Sequence, residues 1–246
     1  MTPITIGNLT VRLAASEKER MEAYELMKDV FIEDNKTPAD SDQLKTDISS
    51  YKKSDILITV DNITNKIVAT YRLITRETAQ LLGGFYTESE FDIAKIKEYD
   101  GNSLEFSRAC THKDYRDNAT MMATWKGLAA YILDNDIKVM FGVPSFHGTD
   151  VGEYKNILNF LMTKHVAPDY LTGQSLQDNR LEDTQEIDVK EAYDIMPPLL
   201  KSYIRMGATI GNGFFIDYDF NTIDVLLIVE LSNLDKTYLG FFSRGL

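Results

Sequence analysis

Cysteine is almost missing from this chain of 246 residues, with Cys110 standing alone. A single thiol excludes an intramolecular disulfide framework and any zinc site built on clustered cysteines, and it agrees with a reducing compartment. Histidine is as scarce: His112, His147 and His165 are scattered without metal-ligand spacing, so no metal centre is expected. No stretch approaches the roughly 18 to 20 consecutive apolar residues that a membrane-spanning helix needs. The start, Met1-Thr2-Pro3-Ile4, has none of the charged and apolar regions of a signal peptide, from which a cytoplasmic location is expected. Basic residues are outnumbered, 26 Lys and Arg against 38 Asp and Glu, giving a formal net charge of −12. That balance argues against a nucleic-acid partner and repels an anionic membrane at long range. Repeats, low-complexity tracts and Gly/Ser-rich linkers are absent too, so residues 1–246 read as one domain.

What is present alternates between the strand and helix periods. Val11 to Ala14 reads as a short strand, followed by a helix that Ser16 and Glu19 open as a capping box and that ends near Ile32. Asp55 to Asp61 and Lys66 to Ile74 are β-rich and joined by Asn62-Ile63-Thr64-Asn65, the pattern of an antiparallel hairpin. Ser103 to Cys110 is a further strand, leading to a helix with Met121, Trp125, Leu128 and Ile132 on one face. Then come a strand, Ile137 to Val143, and a helix opened by Asp150 and Glu153. The acid-rich, weakly periodic stretch from about 165 to 196 is expected to be a surface excursion. Pro197-Pro198 start a short helix ending at Gly207, and Phe214 to Tyr218 with Val225 to Leu231 form a final strand pair. The sum is an α/β fold: a mixed sheet with helices on both faces.

The strand Leu104-Glu105-Phe106-Ser107-Arg108-Ala109-Cys110 carries an ionisable pair inside an apolar run. Strict alternation sends Glu105 and Arg108 to opposite faces, so a β-bulge is expected between them if both serve one cleft. A splayed, bulged strand exposes backbone N–H groups able to hold an oxyanion, and Glu105 would take the proton of an attacking amine. A structural ion pair between Glu105 and Arg108 is the competing reading. The next segment, Thr111 to Met121, joins a strand to a helix N-terminus, where free N–H groups with Arg116 and Lys113 suit a phosphate. Arg72, on the same strand face as Val68 and Thr70, could fork onto a carboxylate, or be a paired surface group. Asp40, Asp42, Asp47 and Asp55 could attract a cationic side chain, with a solvated acidic loop as the default reading, and Cys110 reads as a small core residue rather than a nucleophile.

Several ordered blocks carry a resemblance: Ala69-Thr70-Tyr71-Arg72-Leu73, Gly83 to Asp92, Leu104 to Arg108, Gly127 to Tyr131, Phe141 to Asp150, Pro197 to Lys201 and Phe220 to Val225. From about Val11 to Tyr238 the chain resembles the bacterial ornithine acyl-carrier-protein N-acyltransferases, members of the GNAT superfamily that make lyso-ornithine lipid. The strand pattern at Glu105, Ser107 and Arg108, with Arg72-Leu73, is also similar to that of the more distant acyl-homoserine-lactone synthases. The resemblance implies a GNAT-like, centrally bulged sheet and a 3-hydroxyacyl donor on acyl carrier protein, a phosphopantetheine thioester. It also implies an amino-acid acceptor and no tightly bound cofactor. It lifts Glu105 as catalytic base, with Arg72, Arg108 and Ser107 binding substrate. The superfamily's phosphate turn has glycines, whereas this chain reads Arg116-Asp117-Asn118-Ala119-Thr120-Met121. That departure favours a carrier protein, which brings its own docking energy, over coenzyme A. An acidic carrier is expected to meet Lys113, Arg116 and Lys126, or Lys201 and Arg205, which lie four apart on one helix face. Another acceptor amino acid, lactone-type synthesis and a non-catalytic acyl-binding module are the alternatives. The tail Tyr238 to Arg244 is a candidate for peripheral membrane contact at the inner face.

Overall fold

The computed structural model describes residues 1–234. The chain opens with strands β1 (Ile4–Ile6) and β2 (Leu9–Leu13), helices α1 (Glu17–Asn35) and α2 (Asp42–Lys53), and strands β3 (Asp55–Asp61) and β4 (Lys66–Thr75). It continues with α3 (Arg76–Leu82), β5 (Phe91–Asp92), α4 (Ala94–Glu98), β6 (Asn102–Thr111), α5 (Asn118–Asp134), β7 (Ile137–Gly142) and β8 (Ser145–His147). The remainder is α6 (Val151–Lys164), β9 (Gln174–Ser175), α7 (Val189–Ile195), α8 (Pro198–Met206), β10 (Thr209–Asp217) and β11 (Thr222–Glu230). The strands form one mixed sheet in the order β1-β2-β3-β4-β6-β7-β11-β10-β9-β5, with β8 paired to β11. Only β6–β7 and the short β9–β10 contact are parallel strand pairs among the described residues.

Period-two alternation sorts the core into two faces. Leu57, Leu73, Met140 and Leu227 pack with Trp125 and Leu128 of α5, Leu158 of α6 and Tyr203 of α8. Their strand neighbours point the other way: Ile56 and Ile58 meet Tyr24 and Met27 of α1 and Tyr51 of α2. Ile74, Phe141, Leu226 and Ile228 meet Ala79 of α3, Phe85 and Ile96. Because both faces are covered, central strands such as β11 read as nearly unbroken apolar runs. No helix among the described residues is long and apolar enough to cross a membrane. The tail from Tyr238 to Arg244 lies outside the described residues.

The sequence reading is corrected in several places, three of them near the functional residues or in the core. The first helix continues to Asn35, where Lys36 closes it at a φ of 59°. The stretch read as an acidic loop is α2, begun by Ser41, whose hydroxyl accepts from the Leu44 N–H, and held to the core by Leu44 and Tyr51. The segment 165–196 is more than a surface excursion. It contains β9 and α7 and buries Ala167, Leu171, Ile187, Ala192 and Met196.

The functionally decisive feature is where β6 and β7 part. Their pairing stops at Glu105 and Phe141, after which β7 follows β11 while β6 continues along β4. Beyond Glu105, β6 therefore has no strand on that side among the described residues. Gly142 sits at the fork, where an added Cβ would lie 2.4 Å from the Phe106 carbonyl oxygen. Backbone cannot retreat as a side chain can, so Gly142→Ala should widen the fork and cost about 1–3 kcal/mol, the scale of overpacking. A denaturant midpoint indistinguishable from that of the unsubstituted protein would contradict this reading of the fork.

Candidate active site

The bulge expected in β6 is present. Thr70 pairs with Cys110 and Arg72 with Ser107, so Tyr71 alone faces two residues, Arg108 and Ala109. Arg108 takes a φ of 51°, a left-handed conformation that costs a non-glycine residue roughly 1–2 kcal/mol. The extra residue turns the Arg108 side chain onto the face that carries Arg72 and Ser107, where a regular strand would have sent it to the other.

Both guanidinium groups converge on Asp47 of α2. Arg72 Nη1 donates to Asp47 Oδ1 at 2.6 Å and Arg108 Nε to Asp47 Oδ2 at 2.6 Å. Arg72 Nε also donates to Ser107 Oγ at 3.0 Å, and Nη1 to Ser50 Oγ at 3.1 Å. All three charged residues are buried. Burial opposes ionisation of Asp47, but the guanidinium groups of Arg108 and then Arg72 outweigh it and hold the carboxyl below its usual range. Arg108 is further clasped between the rings of Tyr86, 4.2 Å from its guanidinium carbon, and Phe220, at 4.3 Å.

Glu105 lies on the same sheet face but pairs with neither arginine. Its Oε1 accepts from the Thr87 N–H at 2.7 Å and the Thr87 hydroxyl at 2.5 Å, and its Oε2 from the Tyr86 N–H at 3.0 Å. The carboxylate thus anchors the turn Tyr86–Ser89 and lines neither of the cavities beside β6. The Glu105–Arg108 ion pair considered for the sequence is not formed, because Asp47 takes that place. Just past the turn, Glu90 meets Asp217 and Asp224 in a buried group whose carboxylate oxygens lie within 4.8 Å of one another. Burial and then mutual repulsion push Glu90 well above the carboxylate range and Asp224 up to about 7.

Two cavities flank the free edge of β6. One, of about 450 Å³, runs from Ala109 and Cys110 to the N-terminus of α5 and is lined there by Arg116, Asp117 and Asn118. The other, of about 250 Å³, fills the fork between β6 and β7, with Ser107, Arg108, Ser145 and His147 on its wall. Val30, Asp34, Ala109, Pro198 and Leu199 line both, so they adjoin along the bulged strand. Cys110 borders the larger one, but burial pushes its thiol far above the usual range, which disfavours the thiolate.

The basic residues are divided. Arg116 lines the larger cavity while bonding Asp34 at 2.7 Å, and Lys113 pairs with Glu33 at 3.1 Å, both acids lying in the last turns of α1. Lys126, Lys201 and Arg205 line neither cavity. They lie on α5 and α8, which Trp125 and Tyr203 join by stacking, and Arg205 lies over the Tyr193 ring at 5.3 Å. Sequence reasoning placed Asp47 among loop carboxylates and missed it as the buried partner of Arg72 and Arg108, although Leu44, Ile48 and Tyr51 at helical spacing mark the helix that buries it. It also gave no role to Glu90, Asp217 and Asp224, of which Asp224 stands conspicuously between Ile223 and Val225.

A forked pair of strands with a bulge at the fork and adjoining cavities on both sides fits transfer of a group between two bound molecules. Residues 26–126 match the acetyltransferase (GNAT) domain family. The solved structure of FeeM, an N-acyl amino acid synthase from uncultured soil microbes, superposes with a TM-score of 0.53. The two share 10% identity over 94% of this chain and 93% of that one, and hence a fold. The protein is an acyltransferase of the GNAT type. The L-ornithine N(alpha)-acyltransferase of Rhodobacter capsulatus is 36% identical over 182 residues, 73% of this chain and 70% of that protein. The protein of the same name from Agrobacterium fabrum is 32% identical over 251 residues, covering 96% of this chain and 86% of its own length. The chain belongs to the L-ornithine N(alpha)-acyltransferase family.

Removing the Asp47 charge leaves two buried guanidinium groups facing each other, so Asp47→Asn should cost about 3–5 kcal/mol in urea unfolding. Asp42→Asn on the exposed side of the same helix should cost under about 0.5 kcal/mol. Equal effects would refute the clamp. Asp224, with its folded-state pKa raised, binds a proton that the unfolded chain has already lost. Its contribution to stability is complete below the unfolded carboxyl range and disappears as pH rises toward and past 7. Asp224→Asn should therefore melt higher than the unsubstituted protein, by a margin that grows from pH 5 to pH 8; a shrinking margin would reverse the assignment.

Proposed function

We propose that this protein moves a 3-hydroxy fatty acyl group from acyl carrier protein to the α-amino group of L-ornithine, giving lyso-ornithine lipid. The observation that carries the reading is the free edge of β6 at Ala109, which both cavities share. It is supported by the names of the relatives that match over most of the chain.

In this scheme the phosphopantetheine arm enters the larger cavity, with its phosphate toward Arg116 and the N-terminus of α5 and its thioester at Ala109. Asp117 caps that helix through the Thr120 N–H at 2.8 Å, so a phosphate there meets one fixed anion. Weak phosphate binding is tolerable when a carrier protein supplies its own contacts, and this favours carrier over coenzyme A. For an acidic carrier, Arg116 on the cavity wall and Lys113 in the turn before it, with Lys126, Lys201 and Arg205 on the neighbouring helices, provide positive charge on an otherwise acidic molecule. The amine attacks the thioester carbon, and the negative charge passes to the carbonyl oxygen against the unpaired β6 edge. Collapse forms the amide, breaks the C–S bond and releases pantetheine thiol, which takes up a proton in place of the one lost from nitrogen. No covalent enzyme intermediate is needed, in keeping with a thiol at Cys110 held protonated.

Glu105, expected from the sequence to take the amine's proton, has three hydrogen-bond donors on its carboxylate. That favours a positioning role: it holds the Tyr86 turn against Arg108. The two roles separate in one experiment. The protein is incubated with 3-hydroxyacyl carrier protein or the matching acyl coenzyme A and a mixture of amino acids, and the products are read by mass spectrometry. N-acyl-ornithine from the carrier-bound donor is expected, and another acylated amino acid or no product would overturn the acceptor or the chemistry. Glu105→Gln should lose turnover roughly 10²-fold or more while retaining the acidic limb of its pH–rate profile and losing thermal stability. Loss of that limb at unchanged stability would make Glu105 the base after all.

A further inference from the structure

The acyl-transfer scheme makes no use of the buried carboxylates of Glu90, Asp217 and Asp224. Asp217 ends β10 and Asp224 lies in β11, and the pairings Asp217–Thr222 and Phe215–Asp224 put both on one face of the sheet. Glu90 reaches them from the turn that Glu105 anchors. Asp217 is well supplied: its Oδ1 accepts from the N–H groups of Asp219 and Phe220, at 2.8 and 2.9 Å, and its Oδ2 from the Tyr86 hydroxyl at 3.3 Å. Glu90 is different. It is 2% exposed, and among the described residues neither of its carboxylate oxygens has a hydrogen-bond partner; nor has Oδ1 of Asp224.

Buried polar atoms are nearly always satisfied, and unsatisfied carboxylates are among the most costly exceptions. The nearby cation does not satisfy them, because Arg108 is bonded to Asp47 and held between Tyr86 and Phe220. We propose that Glu90, Asp217 and Asp224 form the subsite for the side-chain ammonium of a cationic amino-acid acceptor. This rests on the acceptor chemistry proposed above and deepens it, by naming what selects a cationic side chain.

Position and shape agree with that occupant. A cavity of about 270 Å³, lined by Gln43, Ser89, Gln177, Phe215 and Ile216, opens on Glu90 and Asp217 from the side away from the fork. On the other side, Asp224 pairs across the ladder with Ser145, which lines the fork together with Arg108. The carboxylates therefore stand between that cavity and the fork, where the α-amine would react. An ammonium group carries three donors and no acceptor, matching three converging carboxylates. A divalent cation would ask for six or more oxygens, whereas these three residues converge with one ligand atom each. A neutral acceptor would leave the carboxylates unpaired, so such a site discriminates strongly against it.

The test compares L-ornithine with L-norvaline, which lacks the terminal amine, in the unsubstituted protein, Glu90→Gln and Asp224→Asn. Both substitutions nearly preserve shape and replace a carboxyl group whose ionisation burial opposes, so folding is expected to survive and is checked by melting. The ratio of kcat/KM for ornithine to that for norvaline should fall roughly 10²-fold or more in each variant, mainly through KM for ornithine, as expected when one partner of a buried charged contact is truncated. Equal losses on both acceptors would overturn the subsite. A second reading needs no turnover: ornithine should raise the melting temperature of the unsubstituted protein and not that of Glu90→Gln. If that shift appears without any acylation of ornithine, the subsite stands and the proposed reaction falls. If ornithine gives no shift, or if Mg²⁺ or Ca²⁺ gives one that Glu90→Gln abolishes while ornithine does not, the ammonium assignment falls.

Discussion

The Asp47 carboxylate, shared by Arg72 and Arg108, is the contact on which the rest of the site depends. It fastens α2 to the β4–β6 pair and, by drawing Arg108 across, compensates the left-handed backbone at the bulge. Buried ion pairs are poor sources of net stability, because desolvation offsets most of their attraction. Their value here lies in geometry. Without a counter-charge on that face Arg108 has no reason to leave the pleat, and without the bulge β6 would run regularly past the point where β7 leaves it. The aromatic rings of Tyr86 and Phe220 then close over the guanidinium, which ties the Tyr86–Ser89 turn and the β10–β11 turn to the same centre.

From that centre the sheet divides its labour. Toward α5 and α8 lies the larger cavity, bordered by Ala109, Cys110 and the first residues of α5, with room for a thioester arm. Toward α1, α2 and the Glu90 turn lies a buried polar layer with an excess of carboxylates. The fork between β6 and β7 is the passage between them. The overall charge of −12 makes local contrast important. In the proposed reaction an acidic carrier would find positive charge in the turn after β6 and on α5 and α8, and a cationic acceptor would be drawn toward the acid-rich side.

Much of this was legible in the sequence for identifiable physical reasons. Two charges in an apolar strand demanded a partner, and the bulge followed from parity once both were assigned to one cleft, because Glu105 and Arg108 are three residues apart. Alternation and helical spacing located most strands and helices. The partner was not legible. Asp47 sits among polar residues whose acidic character hid the Leu44, Ile48 and Tyr51 spacing of α2, and nothing local shows that its carboxylate will face two arginines from strands still to come. The partners of Glu105 left even less trace, since backbone N–H groups have no letter in a sequence. Glu90, Asp217 and Asp224 are far apart along the chain, and only the return of β10 and β11 past the Glu90 turn brings them together.

The central proposal is that acyl transfer takes place at the bulged edge of β6, with donor and acceptor entering through the two adjoining cavities. A crystal structure with a bisubstrate analogue, an N-acyl-ornithine joined through its acyl chain to pantetheine, tests this most directly. The account predicts the pantetheine in the cavity beside Arg116 and Asn118, the acyl carbonyl oxygen within hydrogen-bond distance of the β6 backbone between Ser107 and Ala109, and the ornithine side chain directed to Glu90. An analogue whose carbonyl lies away from β6, or whose two ends share one cavity, would contradict it.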